Sequence, residues 1–206
     1  MDRLDAAEVR VLGSLLEKEI STPDYYPLSL NALVNACNQK SNREPVVAYD
    51  EDTVEQALEG LRAKGLAVRI TGADSRVPKH GQRFTEKLNL GRREAALLCV
   101  LMLRGPQTVG ELRGRTERLY AFEDIEGVES TLNHLAGQGM VMKLARQAGS
   151  REPRFAHLLA GEIETNEAPS APAAARPPAH DHRLDALETG LAALRREFED
   201  FRKRFE

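Results

Sequence analysis

The sequence predicts a mainly α-helical, α+β fold: two tandem winged helix-turn-helix domains, then a flexible linker and a C-terminal heptad-repeat helix. Two observations predict it. The stretch TVEQALEGLRAKGLAVRI (53–70) returns in related form as GVESTLNHLAGQGMVMKL (127–144). In addition, each stretch follows two amphipathic helical segments in the same order. A pattern that recurs in order indicates a duplicated structural unit.

The first two helices of each unit are predicted from hydrophobic spacing. EVRVLGSLL (8–16) matches EAALLCVLM (94–102), with apolar residues at helical intervals in both segments. SLNALVNAC (29–37) matches TVGELRGRT (108–116), and each of these begins with a hydroxyl residue suited to cap a helix. Differences in length between the copies fall between helices, as a duplicated fold predicts.

The third helix of each copy is predicted to end at a glycine in the left-handed C′ position, Gly65 or Gly139. A short apolar strand follows, LAVRI (66–70) in the first copy and MVMKL (140–144) in the second. Three helices followed by a strand and its return partner are the order of a winged helix-turn-helix.

Each hairpin is predicted to close through a polar, turn-rich loop. In the first copy TGADSRVPKHG (71–81) precedes a second strand within QRFTEKL (82–88). In the second copy RQAGSREP (146–153) precedes RFAHLL (154–159). These loops are the predicted wings.

The predicted domains are residues 1–90 and 91–160. Residues 161–182 contain four prolines and many alanines, so they are predicted to form a disordered linker. Beyond it, residues 183–206 carry apolar side chains at steps of three and four, which predicts a homodimer through a coiled coil; packing of this helix on its own globular body is the alternative. The seam residues are Leu184, Leu187, Leu191, Leu194, Phe198, Phe201 and Phe205.

Composition excludes several classes of protein. No apolar run approaches the roughly 20 residues that span a bilayer, and the first residues lack the features of a signal peptide, so we expect a cytoplasmic protein without membrane association. Cys37 and Cys99 lie among apolar neighbours and are interpreted as reduced, buried thiols. The formal net charge of −3 means that any nucleic-acid binding must use local basic clusters.

The sequence favours a protein without enzymatic activity, cofactor or metal. The HDH motif at 180–182 lies in the predicted linker without a further ligand nearby, so a solvated spacer is the better interpretation. His134 and His157 are explained by partial burial with one hydrogen bond each. The glycines follow neither a dinucleotide-binding nor a Walker pattern.

Residues 22–46 (TPDYYPLSLNALVNACNQKSNREPV), 75–84 (SRVPKHGQRF) and 104–132 (RGPQTVGELRGRTERLYAFEDIEGVESTL) resemble the YceH-like family of bacterial proteins. The resemblance covers roughly residues 6 to 160. It implies tandem winged-helix domains, the fold known for that family, whose function is not established. It therefore implies no catalytic or ligand residues.

The sequence predicts DNA binding, although the third helices are acidic where such a protein normally reads the bases. In a winged helix-turn-helix protein the third helix normally enters the major groove, yet here both third helices begin with carboxylates, such as Asp50 to Asp52 and Glu123 with Asp124. The prediction is therefore a DNA-associated regulator that contacts phosphates mainly through basic wings; the alternative is an adaptor whose acidic third helices dock a partner protein. The candidate nucleic-acid residues are Lys40, Arg43, Arg76, Lys79, Arg83, Arg113, Arg115, Arg118, Arg146, Arg151 and Arg154.

The polar run NQKSNREP (38–45) has two interpretations. Its donors, including Asn38, Gln39 and Asn42, could bind a phosphate or a peptide. Equally, Asn and Ser residues satisfy backbone groups in turns, which is a structural role.

Overall fold

The computed structural model describes residues 2–71, 77–145 and 152–161. All of them fall in one compact unit, Met1–Thr165. The predicted linker and the predicted coiled-coil seam lie outside the described residues, so the homodimer stays a prediction. Three of the candidate basic residues lie outside them as well: Arg76, Arg146 and Arg151.

The first copy begins with three helices, as the sequence predicts. They are α1 (Ala6–Ser21), α2 (Leu30–Cys37) and α3 (Glu51–Ala63). A short 3-10 turn and a two-residue strand separate the first two helices. The predicted cap of α2 is confirmed, because the Ser29 hydroxyl accepts a hydrogen bond from the third backbone N–H of the helix. Asp50 caps α3 in the same way.

The two strands that flank the first wing loop belong to a three-stranded antiparallel sheet. Its strands are β1 (Leu28–Ser29), β2 (Ala67–Ile70) and β3 (Lys79–Gln82), and β3 lies in the middle. Leu28 pairs with His80, and Ala67 pairs with Gln82. The short strand β1 therefore adds a third strand, at the edge of the sheet, to the predicted two-stranded hairpin.

The predicted second strand of this wing, placed within residues 82–88, is wrong in position. The strand ends at Gln82, and residues Phe84–Lys87 form a short helix, α4. Two contacts explain the turn: the Gln82 side-chain carbonyl accepts the Thr85 backbone N–H at 3.0 Å, and the Phe84 ring is fully buried in the core. The burial of this ring stabilises the turn by which the chain leaves the sheet.

The second copy repeats the order of the first. Its elements are α5 (Arg92–Arg104), α6 (Val109–Thr116), α7 (Ile125–Gly137), β4 (Val141–Lys143) and β5 (Phe155–His157). The strands β4 and β5 form an antiparallel pair, and an isolated bridge joins Gln107 to Phe155 at the place where β1 pairs with β3 in the first copy. The predicted hairpin is confirmed.

Helix ends in both copies confirm the predicted caps. Gly65 has φ of +67° and Gly139 has φ of +69°, the left-handed conformation that favours glycine after a helix. At the start of α6, the Thr108 hydroxyl accepts the Glu111 N–H, and the Glu111 carboxylate accepts the Thr108 N–H in return. This reciprocal pair is a capping box.

The two copies share one continuous hydrophobic core. Every residue from Ala95 to Leu103 in α5 is buried, because that helix packs on α1 and on elements of its own copy. The helices α1 and α5 approach closely at Gly13, where an added Cβ would lie 2.9 Å from the Leu103 side chain. Among the described residues, no helix combines the length and apolar character that a bilayer crossing needs.

Candidate functional site

The third helices present carboxylates to solvent in both copies. Glu51, Asp52, Glu55 and Glu59 are exposed on α3, whereas Arg62, its one basic residue, is half-buried. In α7, which is equivalent, Glu126 and Glu129 are exposed. Acidic residues near a helix N-terminus stabilise the helix dipole, and the same groups give each helix a negative outer surface.

Arg43, predicted as a nucleic-acid contact, is buried, so that prediction is wrong. Its residue is 4% exposed. The guanidinium donates to both carboxylate oxygens of Glu17, with Nη2 2.6 Å from Oε2 and Nη1 3.1 Å from Oε1, and it also donates to the Ala36 carbonyl. A guanidinium held in this bidentate pair inside the protein cannot reach a phosphate outside it.

Glu17 connects the two copies. Its carboxylate is inaccessible to solvent, and it pairs with Arg43 of the first copy and with Arg118 of the second. Burial raises the pKa of the Glu17 carboxyl, but the hydrogen bonds and positive charges of the two arginines outweigh that effect and lower the pKa overall. Glu17 therefore stays ionised, and Arg118 is engaged between the copies.

The polar run after α2 has a structural role at two of its residues. The Asn38 side chain donates to the Tyr49 carbonyl at 2.7 Å and accepts the Tyr49 N–H at 2.8 Å, which holds the approach to α3. Asn42 adopts a left-handed φ of +59°, and its side-chain oxygen accepts a hydrogen bond from Arg104. Both contacts support the turn interpretation; Gln39 is half-buried, and Lys40 is exposed.

The basic residues of the second copy have acceptors within the protein. Arg115 lies 3.5 Å from the Glu111 carboxylate, and Arg154 lies 3.3 Å from it while also donating to the Pro106 carbonyl. Arg113 donates to the Glu123 carbonyl at 2.9 Å. The Glu111 carboxylate offsets part of the positive charge of Arg115 and Arg154, whereas Arg113 keeps its charge because its acceptor is a neutral carbonyl.

The first wing keeps cations that are available to solvent. The Arg83 side chain is 59% exposed and lies 3.9 Å from Glu86, a distance at which an exposed pair contributes little. Arg69 on β2 is exposed, and Lys79 on β3 is half-buried. Of the candidate cations on the first wing that the structure describes, Arg83 is therefore available to a ligand, and Arg69 adds a second exposed cation in the same sheet region.

The predicted partial burial with one hydrogen bond holds for neither histidine in full. His157 is half-buried, but its Nδ1 has no hydrogen-bond partner among the described residues. Burial lowers the pKa of His157 to about 4, which keeps its ring neutral. His134 is exposed, with Nε2 3.0 Å from the Gln138 side-chain nitrogen. Both cysteines are free and buried, as predicted, and burial raises the pKa of the Cys37 thiol to about 11. Within the described ranges, no group of three or more metal-ligating side chains is close enough to hold an ion.

Sequence reasoning missed Glu17, although a signal was present. Arg10, Ser14 and Glu17 recur at intervals of four and three, so they form a polar stripe along one face of an otherwise apolar helix. All three are buried. A polar stripe on a buried helix face predicts buried partners, and Arg10 finds its own in the carbonyls of Cys37 and Pro45.

Comparison of the sequence with known proteins identifies the family of this chain. The model for a protein of unknown function, DUF480, matches residues 4–150. A UPF0502 protein of Solibacter usitatus is 68% identical over 99% of this chain and 98% of its own length. Those of Opitutus terrae and Pelobacter propionicus are 52% and 48% identical, over 93% and 98% of this chain and 83% and 98% of their own lengths.

The chain belongs to the DUF480, or UPF0502, family of uncharacterised bacterial proteins. This agrees with the YceH-like resemblance of its motifs.

Proposed function

We propose that this protein is a non-enzymatic adaptor of winged-helix architecture that binds a basic surface of a partner protein through the exposed faces of α3 and α7. The observation that carries the proposal is the charge of those faces. On α3 the exposed Glu51, Asp52 and Glu55 stand together at the N-terminal end, the part that a winged-helix DNA reader places in the major groove.

Electrostatics favours a basic protein surface over duplex DNA as the ligand of α3. Duplex DNA carries about one negative charge per 1.7 Å of its axis, so a helix with this outer surface is repelled where it would need to read bases. A partner surface rich in lysine and arginine has the complementary charge, which speeds association and orients the encounter. The equivalent helix of the second copy, α7, also carries exposed negative charge, at Glu126 and Glu129.

The contacts of the arginines also favour the adaptor over a DNA-binding protein. Arg43 and Arg118 are committed to Glu17, and Arg115 and Arg154 are paired with Glu111. These four of the eight candidate basic residues that the structure describes are therefore paired with carboxylates of the protein itself.

The proposal is tested by neutralising α3 while keeping its N-cap. We expect the triple variant Glu51→Gln, Asp52→Asn, Glu55→Gln to fold normally, because all three side chains are exposed and Asp50 still caps the helix. In quantitative affinity capture from lysate of the source bacterium, a protein with a basic surface should be retained by the wild type and lost by the triple variant.

The matched control is Glu86→Gln, which neutralises an exposed carboxylate on α4 and leaves the acidic face of α3 unchanged. It should retain the same partner as the wild type. Identical sets of captured proteins from the triple variant and the wild type would contradict the proposal.

A second candidate, a DNA-associated regulator, is favoured by the first wing. Arg69 and Arg83 are exposed there and Lys79 is half-buried, so these three could contact phosphates without bringing α3 into the groove. Contacts of this kind position a protein on DNA but read no sequence.

A further inference from the structure

A depression of about 390 Å³ lies between α6 and the start of α7. Gly110 and Gly114 line it from α6, and Phe122 and Ile125 line it from the turn and from α7. Phe122 is 8% exposed and packs edge-on against Tyr120, with ring centroids 4.9 Å apart. Ile125 is 50% exposed, so apolar surface borders the open space.

The two glycines keep this groove open. They stand one helical turn apart on α6, and a Cβ added to either would meet no atom within 4 Å. When the N-caps Ser29 and Thr108 are aligned, the first copy has Asn31 and Asn35 at these positions. Those two exposed side chains hydrogen-bond to each other at 3.1 Å, so side-chain atoms stand where the second copy has none. The two glycines thus distinguish this surface of the second copy from the equivalent surface of the first.

The charge around the groove is negative. Glu117 lines it, and Glu123 and Glu126 are exposed beside Ile125. Arg113 also lines it and keeps its charge, because the Glu123 carbonyl to which it donates is neutral; the three carboxylates still outnumber this one guanidinium. An occupant that buries Ile125 would therefore gain from positive charge at its edges.

We infer that this groove binds an amphipathic, basic helix of the partner protein. One apolar side chain of that helix covers Ile125 and Phe122, and the absence of side chains at Gly110 and Gly114 lets its backbone come close to α6. Lysine or arginine residues one turn to either side meet Glu117 and Glu126. Helices that dock in grooves use this combination of spaced apolar contacts and flanking charge. The inference rests on the proposed adaptor function and names the partner segment.

The test uses peptides selected for binding to the full chain. From a displayed library of peptides of about 16 residues, roughly four helical turns, the wild type should enrich sequences with apolar residues at i and i+4 between lysines or arginines. The best sequence is then synthesised with a fluorophore, and its dissociation constant is measured by anisotropy against the wild type and two leucine variants.

Gly114→Leu fills the groove, and Gly137→Leu is its matched control. Gly137 is also a helical glycine with no atom within 4 Å of an added Cβ, and leucine suits a helix better than glycine at both positions. We expect Gly114→Leu to weaken binding by at least about tenfold and Gly137→Leu to leave it unchanged. Circular dichroism confirms that both variants fold.

Three outcomes would overturn the inference: equal binding by Gly114→Leu and the wild type, enrichment of acidic or wholly apolar peptides, or no enrichment at all. Partner capture separates this failure from failure of the adaptor. If Gly114→Leu retains the cellular partner and the triple α3 variant loses it, the groove is refuted and the adaptor stands. If both variants retain every protein that the wild type captures, both proposals fail.

Discussion

Replacing Glu17 by alanine is expected to lower the free energy of unfolding by about 3–5 kcal/mol, the usual cost of removing one partner from a buried ion pair. Arg43, which is itself buried, would keep its charge without the carboxylate that neutralises it. Arg118 would lose its contact with the first copy at the same time. Urea denaturation followed by circular dichroism measures the change.

Glu86→Ala provides the comparison for that measurement. Glu86 pairs with Arg83 at 3.9 Å, and both side chains are exposed, so its loss should cost less than about 1 kcal/mol. Equal stabilities of the Glu17→Ala and Glu86→Ala variants would show that the buried network does not stabilise the fold.

Phe84→Ala is expected to lower the free energy of unfolding by about 3–5 kcal/mol through lost apolar burial and a cavity in the core. The Phe84 ring is fully buried where the chain leaves the first wing. Thermal denaturation should show a lower midpoint for this variant, because a domain of this size loses a few degrees per kcal/mol.

Tyr25→Ala is the control, since it removes an aromatic ring of similar size that is 79% exposed. It should leave the midpoint nearly unchanged. A Phe84→Ala protein as stable as Tyr25→Ala would contradict the burial of residue 84 and the turn that places it there.

The sequence was sufficient to predict the helices and hairpins because their signals are local. Hydrophobic spacing locates a helix, and Thr108 or Gly139 marks its end through contacts within a few residues. The exchange of strand for helix at Phe84 could not be predicted in this way. It depends on the Phe84 ring entering the shared core, and two apolar residues four apart, Phe84 and Leu88, are too short a pattern to distinguish one helical turn from a strand.

The predictions for the functional site also succeeded where the signal was local and failed where it depended on tertiary contacts. The acidic outer face of α3 could be predicted, because Glu51 and Glu55 are one turn apart on a helix whose apolar face is evident. The burial of Arg43 could not, because its partner Glu17 lies 26 residues away in the chain. A basic residue in a polar loop is ordinarily exposed, and only the tertiary fold shows the exception.

The measurement that tests the central claim most directly is a titration of fluorescent duplex DNA with the full chain at low ionic strength. At about 0.01 M salt the Debye length is roughly 30 Å, so even weak phosphate contacts would be detected. Because the exposed faces of α3 and α7 are acidic, we predict no saturable binding. Saturable binding that weakens steeply with added salt and is abolished by Lys79→Ala with Arg83→Ala would contradict the account and establish the first wing as a DNA contact.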